Sequence, residues 1–289
     1  MPTSYQTADY LALPRAEIPF IVDDLLPAGG SMLIYGDPKI GKSFAALQLA
    51  RDIASGQPWF GFPTHPTPVL YVQLDTPRGL WMARMDQLEA TGEQLAAPPI
   101  YQMDRESMGT WPFNIQNPDH AAILRAEVDL RQAGVVIIDT LKESHQAAEN
   151  DNTEGQRIIS ALSSATQPAA LIIIHHSRKP SDGRPNDLIN GARGANYLTG
   201  RMDTIISFSP RTMHYTGRAT EGGSIKLDRK DNGFWELKDE PAQVQDWVNH
   251  VMSQPDLSMR ERARMLAEAT GRSEEACRSM LRRHTSSTI

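Results

Sequence analysis

The stretch "SMLIYGDPKIGKS", residues 31–43, decides the fold of this 289-residue chain. The run "MLIY" is typical of a buried strand, and residues 36–43 fit the pattern G-x-x-x-x-G-K-[ST]. The following "SFAALQLARDIASG" carries apolar residues at helical spacing and ends at a glycine. A strand, a glycine-rich loop and a helix in this order predict a phosphate-binding loop, here called the P-loop (residues 36–43).

The chemistry of the P-loop predicts ATP and Mg²⁺ as cofactors. Its glycines allow backbone N–H groups to cradle phosphates, Lys42 is expected to reach the β- and γ-phosphates, and Ser43 to hold Mg²⁺. The alternative is a Gly/Lys turn that binds no ligand. The predicted nucleotide-binding residues are Gly36, Asp37, Pro38, Lys39, Ile40, Gly41, Lys42, Ser43 and Phe44.

Three more apolar runs end in polar side chains. Asp139 ends "VVIID", where a carboxylate usually orients Mg²⁺ and its water in P-loop sites. Asp75, in "VLYVQLDTP", is placed to polarise the attacking water, and His176, in "LIIIHHSRK", to sense the γ-phosphate. The alternatives are an aspartate that only caps a strand and a structural histidine pair.

The order of elements predicts an α/β protein. Apolar strands alternate with helices, which indicates a mostly parallel sheet between helices. Residues 96–118, rich in Pro, Met and Asn, are expected to be irregular, and "GSIKLDRKDNGFWEL" to form a hairpin. The predicted division is an N-terminal arm (1–20), an ATPase domain (21–241) and a C-terminal helical module (242–289).

Composition limits the function classes. The net charge of −6 argues against a surface that coats nucleic acid throughout, but it is compatible with a local basic channel. The one cysteine, Cys277, leaves no intrachain disulfide and no Cys cluster for a metal. No apolar stretch approaches the ~20 residues of a membrane span, and the start lacks the regions of a signal peptide. We therefore expect a cytoplasmic protein with no membrane partner.

The order P-loop, "LDTP", "IIDT", "HHSRK" and "GARGANYL" resembles the RecA-like ATPases. It is most similar to the RepA-type branch, which includes plasmid-encoded hexameric replicative helicases related to DnaB-like ring helicases. The resemblance covers residues 20–238. It implies that Lys42 and Ser43 bind ATP and Mg²⁺, and that Asp139 is the Walker B acid.

The same resemblance assigns Asp75 as the catalytic carboxylate and His176 as the sensor. It also places Arg84, in "MARMDQL", near the nucleotide. The family usually carries Glu at the position of Asp75. The side chain of Asp75 is one methylene shorter than that of Glu. A shift of about 1 Å at a catalytic group can cost about a hundredfold in rate, so we expect a slow ATPase unless the backbone compensates.

RecA-like rings place the site between subunits, where a neighbour supplies a cation. Such a cation is worth about 10³–10⁵ in rate in other NTPases. The candidates are Arg193, Arg201, Arg229 and Lys230, and the resemblance favours Arg201 and the pair 229/230. The alternative for each is an exposed, solvated charge.

Two polar loops, 141–155 and 177–197, hold positions that face the central channel in RecA-like motors. The first is acidic. The second carries four basic residues, which predict a positive groove for single-stranded DNA, although an ordinary surface loop is the alternative. These predicted DNA-binding residues are Arg178, Lys179, Arg184 and Arg193.

The sequence of the C-terminal module predicts a helix-turn-helix. Ser258 and Glu261 form a capping box, "LAEATGRS" contains a Gly turn, and a second helix follows. Four arginines crowd that helix and predict DNA contact, against the alternative of a helical lid that packs on a neighbour. They are Arg272, Arg278, Arg282 and Arg283.

These features together predict an ATP-dependent motor. The first hypothesis is a homo-hexameric ring that translocates on single-stranded DNA as a replicative helicase, with a replication initiator or loader as a further partner. The second is a non-translocating ATPase switch that binds or regulates DNA through its C-terminal module. The third is a recombinase-like filament former, for which the N-terminal arm offers no obvious polymerisation motif.

Overall fold

In the computed structural model of the chain, the central feature is a nine-stranded sheet. The described residues are 6–7, 9, 19–89, 99–109, 112–146, 152–176, 196–220, 222–238, 242–270 and 274–286. Their strands are β1 (Phe20–Val22), β2 (Leu26–Pro27), β3 (Ser31–Gly36), β4 (Val69–Gln73), β5 (Ile100–Asp104), β6 (Val135–Asp139), β7 (Ala170–His176), β8 (Thr204–Ser209), β9 (Thr212–Gly217), β10 (Gly223–Arg229) and β11 (Trp235–Leu237).

The sheet is mostly parallel, as the sequence predicts. Its order is β11-β10-β9-β8-β3-β7-β6-β4-β5, and all neighbours from β8 to β5 run parallel. Strands β9, β10 and β11 extend it by antiparallel pairing, while β1 and β2 form a separate ribbon. The inner parallel strands β3, β4, β6 and β7 have almost entirely buried residues because helices cover both faces.

Helices form the outer layers on both faces of the nine-stranded sheet. Apolar residues of α1 and α2 pack on one sheet face, and those of α3 and α4 on the other. The helices are α1 (Lys42–Ser55), α2 (Arg78–Glu89), α3 (Pro118–Arg131), α4 (Asn152–Thr166), α5 (Asn196–Thr199), α6 (Ala242–Met252), α7 (Met259–Thr270) and α8 (Glu274–Ser286), with a 3₁₀ turn at Leu141–Ser144.

The parallel arrangement gathers the predicted site at one edge of the sheet. Strands β3, β4, β6 and β7 all end at this edge, and the P-loop follows β3 directly. Asp139 closes β6, His176 closes β7, and Asp75 lies just beyond β4. Ligands of open α/β sheets bind outside these carboxyl ends.

One local prediction is confirmed and another is wrong. β10 and β11 form the expected hairpin, and Gly233 in its turn has φ 87°, a conformation that favours glycine. The segment 96–118 is not irregular throughout, because β5 lies within it and pairs with β4. β5 is an edge strand whose residues are mostly half-exposed or exposed, so it lacks a long apolar run.

The C-terminal helices have a core of their own, built from Val248, Leu266, Cys277, Leu281 and their neighbours. The predicted capping box is confirmed, since the Ser258 hydroxyl donates to Glu261 Oε2 at 2.7 Å. This contact also lowers the pKa of Glu261. The predicted boundary at residues 239–241 lies outside the described residues.

The last helix, α8, packs against β10 of the ATPase domain. Arg282 on α8 forms an ion pair with Asp24, in the turn between β1 and β2, at 2.8 Å. One of the arginines predicted to contact DNA is therefore engaged by the ATPase domain. Arg272 and the side chain of Arg283 lie outside the described part of the chain, so DNA contact by this module stays a prediction.

No helix within the described ranges is both long enough and apolar enough to cross a membrane.

Candidate nucleotide-binding site

The backbone of the P-loop packs closely against residues of strands β8 and β11. Gly41 has φ 107°, and a Cβ atom there would lie 2.9 Å from Trp235 Nε1. A Cβ atom at Gly36 would lie 2.7 Å from the Phe208 carbonyl oxygen on β8. The middle of the loop, residues 37–39, is exposed to solvent. The two glycines thus allow close packing below the loop while its upper side stays accessible to phosphates.

Lys42 is buried at the first position of α1 and is 4% exposed. Its ammonium group donates to the carbonyl oxygens of Gly36 at 2.8 Å and Asp37 at 2.9 Å. Burial lowers the pKa of Lys42 to about 8, although the charges of Asp139, Asp37 and Asp75 oppose this effect. Backbone carbonyl oxygens of the P-loop therefore hold the ammonium group of Lys42 within the loop.

His176 contacts Lys42 directly, because its Nδ1 lies 3.2 Å from Lys42 Nζ. This pairing brings the predicted sensor at the end of β7 to the predicted phosphate-binding lysine. A change in what Lys42 binds therefore reaches His176 through one contact.

Asp139 is 2% exposed, and Tyr71 on β4 donates its hydroxyl proton to Asp139 Oδ2 at 2.8 Å. The other carboxylate oxygen, Oδ1, is buried and accepts no hydrogen bond within the described residues. Burial raises the pKa of Asp139, while hydrogen bonds from Tyr71 and Ser43 oppose the increase. A bound cation would stabilise the charged carboxylate and satisfy the buried oxygen.

These residues fit Mg²⁺. The hydroxyl of Ser43 and the free oxygen of Asp139 are the hard oxygen groups that Mg²⁺ prefers. Within the described ranges no cluster of three or more His, Cys, Asp or Glu could hold a metal. In proteins, Mg²⁺ is usually held by one or two carboxylates together with substrate phosphates and water.

Asp75 is exposed and lies two residues beyond the end of β4. Its charge raises the pKa of both Lys42 and Asp139. The predicted catalytic carboxylate is therefore near both of the other charged groups of the site and open to solvent.

Two arginines surround the ring of Phe44, the residue that follows the P-loop. The guanidinium carbon of Arg84 lies 5.1 Å from the ring centroid, and that of Arg229 lies 5.5 Å from it. Arg84 also donates to the Thr76 hydroxyl at 3.2 Å. The structure therefore brings Arg84 to the P-loop helix, beside the predicted nucleotide-binding residues.

Arg229 contacts the P-loop of its own chain. It donates to the Lys39 carbonyl at 3.3 Å and to the Gly233 carbonyl at 3.1 Å. Its action across a subunit interface stays a prediction.

Arg201 lies away from this P-loop. It precedes β8, whose Thr204 pairs with Met32 at the start of β3, so it is near the opposite edge of the sheet. Its guanidinium group donates to the Ser160 hydroxyl at 2.7 Å.

Lys230 forms an ion pair with Glu236 at 3.0 Å. Arg178, Lys179, Arg184 and Arg193 lie outside the described residues.

Sequence reasoning missed Tyr71 and Trp235. Tyr71 occupies an apolar strand and resembles any core residue, yet it fixes Asp139. The Trp235 indole donates to the Gly41 carbonyl at 3.1 Å, and its backbone N–H and C=O both bond to the Gln48 side chain. Both contacts join residues distant in sequence, so no local pattern marks them.

The fold and site define a P-loop ATPase built on a mostly parallel sheet between helices. The chain belongs to the family described as AAA domain, whose model matches residues 1–182. No curated protein matches it. Among solved structures it is similar to a KaiC-like protein of the hyperthermophilic archaeon Pyrococcus horikoshii, at 12% identity and a TM-score of 0.47, covering 76% of this chain and 94% of that one.

Proposed function

We propose that the protein hydrolyses ATP with Mg²⁺ and acts as a motor. The observation that carries the ATPase proposal is the buried, unpartnered Oδ1 of Asp139 beside a P-loop with a fixed lysine. An uncompensated polar atom at this depth costs about 1–3 kcal/mol, which a bound cation would offset. Ser43 and Asp139 would hold Mg²⁺, which would supply positive charge to offset the charge that develops on the phosphates.

Each residue of the site has a role in the proposed hydrolysis. The loop amides and Lys42 bind the phosphates, and Ser43 and Asp139 hold the metal and its waters. Asp75, which is open to solvent, orients the attacking water. His176 detects the γ-phosphate through its contact with Lys42 and transmits its loss to the segment after β7.

The finer proposal is a hexameric ring that moves on single-stranded DNA as a replicative helicase. Its support is the order of the motifs, with Arg84 and "HHSRK" at the spacing of the RepA-type helicases. The basic residues after β7 fit contact with DNA in a channel. Arg201 lies away from its own P-loop, which fits a contact with the nucleotide site of a neighbouring subunit.

A strand-separation assay tests this proposal. We expect single-stranded DNA to stimulate ATP hydrolysis, a forked duplex to be unwound, and native mass spectrometry with ATP to show six subunits. Stimulated hydrolysis without unwinding would reject the helicase in favour of a switch, and open filaments in negative-stain images would favour the recombinase-like alternative.

The second candidate, a non-translocating ATPase switch, has one observation in its favour. Helix α8 packs on β10, and the β10–β11 hairpin bonds to the P-loop through Arg229 and Trp235. A partner bound at the C-terminal module would therefore act on the nucleotide site through a short chain of contacts. Loss of strand separation together with a DNA-dependent change in nucleotide affinity would support this candidate.

A further inference from the structure

Gln73, the last residue of β4, is a buried polar residue near the candidate site. It is 1% exposed, and both its amide nitrogen and its amide oxygen are buried without a hydrogen-bond partner among the described residues. Burying an amide without compensation is unfavourable by about 1–3 kcal/mol on mutational scales. An apolar side chain would avoid this cost, so the glutamine calls for a functional account.

The register of the sheet places Gln73 beside the proposed metal site. Gln73 pairs with Asp139 on β6 and with Asp104 on β5. Side chains at i and i+2 share a sheet face, so Gln73 lies on the face of Tyr71, whose hydroxyl reaches Asp139. The unpartnered amide and the unpartnered Asp139 Oδ1 are thus on adjacent strands at the same edge.

Two neighbouring polar groups on this face already form hydrogen bonds with other residues. The Asp104 carboxylate accepts two hydrogen bonds from Arg78, at 2.5 and 2.6 Å, and the Tyr71 hydroxyl donates to Asp139. The protein therefore provides a buried carboxylate oxygen and a buried amide, on residues paired across adjacent strands, with no hydrogen-bond partner among the described residues.

We propose that Gln73 is a positioning residue for hydrated Mg²⁺, and that its amide, together with Asp139 Oδ1, binds the water molecules of the ion. This inference rests on the proposed Mg²⁺-dependent ATPase. Mg²⁺ dehydrates reluctantly and keeps several waters in protein sites. Those waters donate hydrogen bonds, which the Gln73 carbonyl oxygen and the Asp139 carboxylate accept, while the amide N–H₂ can donate to a further water oxygen.

The test compares Gln73→Met with a matched variant, Gln102→Met. Methionine keeps a long unbranched side chain and removes the amide. Gln102, on neighbouring β5, is exposed, and its amide oxygen accepts from the Trp81 indole at 3.0 Å, so its structural role is already satisfied. Two quantities are measured: the Mg²⁺ concentration for half-maximal binding of a fluorescent ADP analogue, and the melting temperature without nucleotide or metal.

The two variants are expected to differ in both quantities. Gln73→Met should raise the half-saturating Mg²⁺ concentration by about ten- to a hundredfold, the usual effect of losing an outer-shell partner. Its melting temperature should equal or exceed that of the wild type, because an uncompensated amide is removed. Gln102→Met should melt at a lower temperature and leave the Mg²⁺ dependence unchanged.

A Gln73→Met protein that melts lower, or fails to fold, or retains the wild-type Mg²⁺ dependence would overturn the inference, since the amide would then be structural or irrelevant to the ion. If the wild-type protein itself shows no Mg²⁺-dependent nucleotide binding, the proposed function fails first. The wild-type measurement therefore separates the two failures.

Discussion

At the residue scale, the protonation of Lys42 links pH to nucleotide affinity. Its pKa in the free protein is lowered to about 8, chiefly by burial. Bound phosphates would raise this pKa because they favour the charged form. Below pH 8 the ammonium group is charged with and without ligand, so this lysine should add no pH dependence to the affinity. Above about 8 the free lysine loses its proton, and binding must restore it.

We therefore expect this lysine to make the affinity for ADP fall by up to about tenfold per pH unit above pH 8. Isothermal titration calorimetry in EDTA, across buffers of different ionisation enthalpy, measures both the affinity and the proton uptake. Lys42→Met is the control and should lose the pH dependence. Constant affinity up to pH 9.5 in the wild type would exclude a lowered pKa for this lysine.

A second prediction at the residue scale concerns Asp75. Its carboxylate is exposed beyond β4 and is proposed to orient the attacking water. Asp75→Asn should reduce turnover by about 10²-fold or more, since general base catalysis contributes about 10²–10⁴-fold, while Asp75→Glu should preserve or raise it. Steady-state ATP hydrolysis is the measurement, and Asp246→Asn, an exposed carboxylate of the C-terminal module, is the control. An Asn variant as active as the wild type would assign water activation elsewhere.

At the scale of elements, the β10–β11 hairpin fixes the P-loop from its side. The Trp235 indole donates to the Gly41 carbonyl, and the Gln48 side chain on α1 pairs with the Trp235 backbone. Helix α8 contacts strand β10 of this hairpin, so the hairpin lies between α8 and the P-loop.

Trp235→Phe should weaken ADP binding by up to about fivefold with little loss of stability. The reason is that one hydrogen bond, worth about 1 kcal/mol, no longer fixes the loop. Trp59→Phe is the matched control, because Trp59 is buried in the same core and its indole nitrogen has no partner within the described residues. Equal affinities for the two variants would show that the hairpin contact does not order the loop.

Sequence patterns predict elements whose signal is local. The runs that became β3, β4, β6 and β7 are apolar and buried on both faces, and the polar residues at their ends met at one edge because parallel strands share a direction. Edge strand β5 escaped prediction because its residues are largely half-exposed and polar.

Within the site, the motif residues could be predicted, and their supports could not. Lys42 and Asp139 stand at fixed positions relative to glycines and an apolar run. Tyr71 and Trp235 contact the site through register across strands or through tertiary packing, and the proposed role of Gln73 depends on the same register, which spacing along the chain does not encode.

At the scale of the whole molecule, the placement of two arginines separates contacts within a subunit from contacts between subunits. Arg229 touches its own P-loop, whereas Arg201 lies near the far edge of the sheet. Arg201 lies away from its own P-loop, so in the proposed ring we expect it, and not Arg229, to act on a neighbour's site. Mixing Arg201→Ala with Lys42→Met subunits should therefore restore part of the ATPase activity, since some interfaces regain both groups.

Mixing Arg229→Ala with Lys42→Met should restore none, because both changes affect the same subunit's site. The measurement is ATP hydrolysis at fixed total protein and varied ratio, with co-assembly verified by native mass spectrometry. Recovery with Arg229→Ala would assign it the trans role, and no recovery with Arg201→Ala despite co-assembly would remove Arg201 from the shared site.

The most direct test of the central claim is ATP hydrolysis by the wild-type protein and by Lys42→Met, each in Mg²⁺ and in excess EDTA. Methionine keeps most of the volume of the buried lysine and removes the charge that reaches the Gly36 and Asp37 carbonyls. The account predicts Mg²⁺-dependent phosphate release by the wild type alone, with circular dichroism showing both proteins folded. Undiminished hydrolysis by folded Lys42→Met, or wild-type hydrolysis that persists in EDTA, would contradict it.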